Sequence, residues 1–226
     1  MWLFGAPHLV HHDKDIPIQR HKHWALLTYL LLGAHPYPRE TLAALLWPAY
    51  GQAQALANLR RELSRLHHLV GEFLWCDRST LAFVPNETLW VDVLTFEHHY
   101  TALHQHLLCP HEPCTECFDH LVAAHALYVG DLLAGLSLAD CPEFEEWLFF
   151  QQETLRNHLF EMLKRLSGEY IARQDHPQAI TVTRELLTID PLYEEGQRRL
   201  IWLYTHTGQR TAALRQYQSF FTPDGS

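Results

Sequence analysis

A chain of 226 residues, 47% of them hydrophobic, can bury one large core or two ordinary ones. It has no run of about 18 apolar residues, which excludes a bilayer-spanning helix; Met1-Trp2-Leu3-Phe4-Gly5 lacks the basic start of a signal peptide, so a cytoplasmic location is expected. The formal charge of −9 lies wholly beyond residue 95, because residues 1–95 hold eight Lys or Arg against eight Asp or Glu.

Short strands are predicted at Trp2-Leu3-Phe4, Leu9-Val10 and Ile16-Pro17-Ile18, with a polar turn at His12-Asp13-Lys14-Asp15 and a proline suited to an edge strand. Trp24, Leu27, Leu30 and Leu31 recur at helical spacing and predict a helix from His21 to Leu32 that stops at Gly33. Pro38 opens a second helix, Arg39 to Trp47, with Leu42, Leu45 and Leu46 as its core face. A third helix runs from Gln52 to Val70. Leu56, Leu59, Leu63, Leu66 and Val70 form one apolar stripe on it, and Asn58, Arg61, Ser64, Arg65 and His68 lie opposite. A helix buried on one side with Arg and amide groups on the other has the form of a major-groove reader, and equally the form of any surface helix.

After Gly71 the period becomes extended. Phe73-Leu74-Trp75-Cys76 and Leu81-Ala82-Phe83-Val84 flank Asp77-Arg78-Ser79-Thr80, a hairpin with a basic residue at its tip. Strands, three helices and a hairpin are the order of a winged helix, in which the third helix enters the major groove and the wing touches the backbone or minor groove.

From Asp92, a helix N-cap by its type and position, the pattern is helical: Val93 to Leu108, a loop from Cys109 to Cys117, Phe118 to Val129, and a long helix from Pro142 to about Ala172. Leu166, Tyr170, Ala179 and Thr183 recur thirty-four residues later as Leu200, Tyr204, Ala213 and Tyr217. That is the tetratricopeptide period, with Pro191 after the first copy and Gly208 at the turn of the second. Stacked helix pairs of this kind bind other proteins rather than perform chemistry.

The cysteine loop offers Cys109, Cys114 and Cys117 with His120 close by. Cys114-x-x-Cys117 is half of a tetrahedral set that Cys109 and a histidine would complete, so a structural zinc is the cofactor this loop could hold; incidental cysteines on an exposed loop are the alternative. No phosphate-binding glycine loop, nucleophile elbow or paired zinc-protease histidines occur, and no enzymatic activity is expected.

Several stretches together resemble the SARP family of bacterial regulators, in which an OmpR-like winged helix precedes a bacterial transcriptional activation domain. They are Leu26-Leu27-Thr28-Tyr29-Leu30-Leu31-Leu32, the segment Arg39 to Pro48, Ala57 to Leu66, Val91-Asp92, Tyr128 to Gly135, Glu143 to Leu148, and Tyr204 to Arg210. The resemblance implies a mainly α fold with a small β component: a winged helix-turn-helix with a short antiparallel sheet and wing over residues 1–91, then an all-α tetratricopeptide-like domain over 92–226. It also implies promoter binding, commonly at direct repeats, and activation through RNA polymerase. Mapped by motif, the DNA-facing set is Asn58, Arg61, Ser64 and Arg65, with His68 on the same face by periodicity, and Arg78 in the wing and Arg20 and Lys22 before the first helix are candidate phosphate contacts. His67-His68 departs from the arginines that relatives often carry there. Relatives continue beyond Phe221, so a homodimer or a further C-terminal regulatory domain joins promoter DNA and polymerase among the expected partners. The alternative is a protein-interaction adaptor whose winged helix no longer binds DNA, a reading motivated by the neutral first part.

Overall fold

The computed structural model describes residues 1–11, 14–86, 88–105 and 114–221. Its architecture is mainly α with small antiparallel sheets near the N-terminus, as expected. Two compact units form: residues 1–95 with 129–153, and residues 96–128 with the chain from 154 onward.

In the first unit a two-stranded hairpin, β1 (Leu9–His11) and β2 (Lys14–Ile16), precedes α1 (His21–Gly33). The strand expected at Ile16-Pro17-Ile18 lies earlier, over Lys14–Ile16 with Leu9 paired to Ile16. Lys14 and Asp15 are thus ladder rather than turn residues, and the strand ends before Pro17, which has no N–H to offer a ladder. Trp2-Leu3-Phe4 forms only isolated bridges, Trp2 to His8 and Phe4 to Leu132. Trp24 donates its indole N–H to the Ile18 carbonyl at 2.9 Å, and Leu26, Leu27 and Leu30 are fully buried.

A two-residue strand, β3 (Tyr37–Pro38), leads into α2 (Arg39–Leu46), and α3 (Gln52–Val70) follows over the span predicted for it. The wing is β4 (Leu74–Cys76) and β5 (Thr80–Phe83), and β3 adds to it in the order β3-β5-β4. The Asp77 carboxylate accepts the Ser79 and Thr80 N–H groups at 2.7 and 2.5 Å, an Asx turn that fixes the wing tip. A strand of two residues carries no periodicity, which is why β3 is not legible before the fold is known.

Asp92 is the first residue of α4 (Asp92–Gln105), one place inside the N-cap position expected of it, since Thr95 N–H donates to the Val91 carbonyl. Its fully buried carboxylate accepts Leu3 N–H at 2.8 Å, Phe4 N–H at 2.8 Å and Val93 N–H at 2.7 Å, tying the start of the chain to this helix. Burial pushes that carboxyl above the ordinary Asp value, against the pull of these N–H donors. Within residues 129–153, Leu132, Leu133 and Phe144 are core side chains, and Leu133 N–H donates to the Leu3 carbonyl at 2.8 Å.

The second unit contains α5 (Thr115–Leu127), most of the long α6 (Pro142–Ala172), and α7 (His176–Ile189), α8 (Glu194–His206) and α9 (Arg210–Phe221). The repeat is real packing: Leu166 and Leu200 are buried, as are Ala179 and Ala213 at the helix crossings. Gln174 and Gly208, thirty-four residues apart, both hold left-handed backbone at φ 60° and 75°. The fourth equivalence diverges. Thr183 is fully buried against the Ser167 hydroxyl at 2.7 Å, whereas Tyr217 is 51% exposed.

Candidate nucleic-acid interface

The inner face of α3 buries Ala55, Leu59, Leu63, Leu66 and Val70, while Leu56 is only half-buried. The same face also buries Glu62, seated between Leu59 and Leu66 in the apolar stripe. Its outer face presents Arg60, Arg61, Ser64, Arg65 and His68 to solvent, and Asn58 is half-buried, accepting the Gln54 amide at 3.2 Å.

Three of these elements meet in one groove of about 420 Å³, lined by Arg39 of α2, Arg60 of α3 and Arg78 and Ser79 of the wing. The Arg39 N–H donates to the Ser79 carbonyl at 2.8 Å and locks the wing tip to the start of α2. The Arg39 Nε is buried and has no hydrogen-bond partner among the described residues. Glu40, also on the rim, is the only acidic residue lining the groove among the described residues. Three guanidiniums around a solvent-open groove make a local positive surface in a unit whose formal charge gives no hint of one.

Arg20 and Arg65 converge on Glu62. Oε1 accepts Arg20 Nη1 at 2.9 Å and Arg65 Nη1 at 2.8 Å, and Oε2 lies 2.7 Å from His23 Nε2. Burial pushes the Glu62 carboxyl up, but the His23 and Arg65 hydrogen bonds and the two arginine charges outweigh it and leave it below the ordinary Glu value. Burial holds His23 below the ordinary imidazole value despite Glu62. At neutral pH His23 is therefore a neutral donor to a carboxylate.

Lys22 stands apart from the arginines. Its ammonium donates to the Leu46 carbonyl at the end of α2 and to Asp140, both at 2.6 Å, and lies 5.3 Å from the Trp47 ring centroid. Such a lysine serves the helix C-terminus and an ion pair. Sequence periodicity missed Arg39 and Arg60 as members of the positive surface because the partner that gathers them, the wing tip, is distant in sequence. Glu62 had a signal: it is a charge in an apolar-stripe position.

Of the residues considered for zinc, Cys109 lies outside the described residues. Cys114 caps α5, its Sγ accepting Cys117 N–H at 3.5 Å; Cys117 is buried; and His120 Nδ1 lies 2.8 Å from His99 Nδ1. Among the described residues no three metal-capable side chains are gathered.

The fold is a winged helix with an exposed cationic helix, followed by a helical-repeat module. The family described as bacterial transcriptional activator domain matches residues 91–222, more than half of the chain. The chain belongs to that family, in agreement with its resemblance to SARP-type regulators. The structure of Mycobacterium tuberculosis EmbR in complex with a low-affinity phosphopeptide is similar over 98% of this chain, with a TM-score of 0.74 and 20% identity. This chain spans 58% of the length of that one, and the likeness is one of fold. No curated protein matches the chain. No described helix is long and apolar enough to cross a membrane.

Proposed function

We propose that this chain is a transcriptional activator that binds promoter duplex DNA through the outer face of α3 and the wing, and contacts RNA polymerase through its helical domain. Residues 1–91 are the DNA-binding part and 92–226 the activation domain. Asn58, Arg61, Ser64 and His68 face the groove and its base edges, while Arg39, Arg60, Arg65, Arg78 and Arg20 neutralise phosphates. One observation carries this reading: arginines from α2, α3 and the wing converge on a single open groove although the surrounding unit has no net positive charge.

The test is binding of DNA from upstream of its own gene, measured across a salt series. Affinity should fall steeply as salt rises, because each neutralised phosphate releases condensed counterions. An Arg61→Ala, Arg65→Ala double substitution should weaken binding and flatten the slope by about two counterions. Unchanged affinity in that variant removes the role assigned to α3. The neutral charge of residues 1–95 favours one competing reading, a protein-interaction adaptor. Wild-type protein that ignores DNA but forms a stable complex with another protein would establish it instead.

A further inference from the structure

The structure points to a role for Glu62 that rests on the DNA-binding reading above: we infer that Glu62 is a positioning residue that gathers Arg20 and Arg65 into one phosphate-facing pair. The geometry is asymmetric. The carboxylate side chain is 9% exposed, while the Arg20 and Arg65 side chains are 55% and 45% exposed. The anion is thus the buried anchor and the cations form the outer surface, the reverse of an ion pair that serves only the core. Both guanidiniums engage the same oxygen, Oε1, through one Nη1 each. A guanidinium carries five N–H donors, so most of each remains to meet a phosphate oxygen.

The two arginines come from different elements. Arg20 precedes α1 and Arg65 lies one turn beyond Glu62 on α3. Left alone, two like charges on long side chains repel and sample many rotamers; a shared buried carboxylate suppresses both effects before DNA arrives. His23, from α1, holds the second oxygen at 2.7 Å, so the carboxylate cannot rotate away without losing that bond. With His23 neutral at pH 7, the two arginines still outweigh the single Glu62 carboxylate, so the cluster keeps a net positive charge.

This role predicts an effect opposite to that of simple electrostatics. Removing Glu62 adds one positive charge to the DNA face, which by itself tightens binding to a polyanion. Loss of positioning weakens it.

The experiment is fluorescence anisotropy of the full chain with a short labelled duplex of random sequence, between about 50 and 200 mM salt. Phosphate contacts are sequence-independent, so no operator is required. Glu62→Ala and the shape-preserving Glu62→Gln are each combined with Arg20→Ala and Arg65→Ala, and thermal melts establish that each variant is folded. Glu62→Ala should weaken binding about threefold to tenfold and lower the salt slope by about one to two counterions. Arg20→Ala and Arg65→Ala should then have little further effect, with Glu62→Gln intermediate. Unchanged or tighter binding by folded Glu62→Ala and Glu62→Gln, with only a lowered melting temperature, overturns the inference and leaves Glu62 a core ion pair. Wild-type protein that shows no salt-dependent binding overturns the DNA-binding reading itself, and the role of Glu62 with it.

Discussion

The winged-helix unit and the helical-repeat unit solve the problem of cohesion differently. The first is joined by polar contacts between residues far apart in the chain: Arg20 with Glu62, Leu3 and Phe4 with Asp92, Lys22 with Asp140. The second relies on small and apolar residues repeated at a fixed interval, Leu166 with Ala179 and Leu200 with Ala213, so that each hairpin packs on its neighbour. Over the apolar core that both units have, the first adds ties to the buried carboxylates of Glu62 and Asp92, and so depends on those groups and on pH. A stack of similar hairpins spreads its stability along the chain.

Core truncation should expose this contrast most strongly. Leu59→Ala and Leu200→Ala, both at fully buried sites, are each expected to cost about 3 kcal/mol in denaturant unfolding. Hydrogen exchange should separate them: Leu59→Ala loosens α2 and α3 together, whereas Leu200→Ala raises exchange chiefly in α7, α8 and α9. Equal, chain-wide loosening in both would dissolve the contrast. Asp92→Ala should cost about 2 kcal/mol by orphaning the buried Leu3 and Phe4 N–H groups, and their amides should lose exchange protection first.

Acid should act on the Glu62 node. His23 lies below its ordinary value of 6.5 when folded, so the unfolded chain takes up a proton first as pH falls through 6.5, and stability declines from there. Glu62, held below 4.5, adds a second loss in the same direction as pH falls below 4.5. His23→Gln should flatten the first limb in melts followed against pH, and an unaltered limb would place the acid sensitivity elsewhere. The smallest effect belongs to the repeat turns. Gln174→Gly should raise stability by about 0.5 kcal/mol by relieving left-handed backbone, and Gly208→Ala should lower it by about 1 kcal/mol, both read from melting temperatures.

Much of the fold was legible because its helices announce themselves locally. The α3 span follows from the spacing of Leu59, Leu63, Leu66 and Val70, and the repeat turns from Gly208 and its thirty-four-residue register. The outward face of α3 was equally legible, since a stripe on one side implies the residues on the other. Glu62 reads as a flaw in that stripe until Arg20 and His23 arrive from another element. Lys22 reads as a surface cation near the DNA face until the Leu46 carbonyl and the Asp140 carboxylate accept its hydrogen bonds.

The sequence by itself determined which segments are helical, which face of α3 turns outward, and where the repeat lies, because periodicity and turn chemistry act over a few residues. Only the tertiary structure decided which cations share the groove with Arg78, which arginines rest on Glu62, and that Asp92 receives the N–H groups of Leu3 and Phe4. Those partners are brought together by packing across tens of residues, and no local pattern records the distance between them.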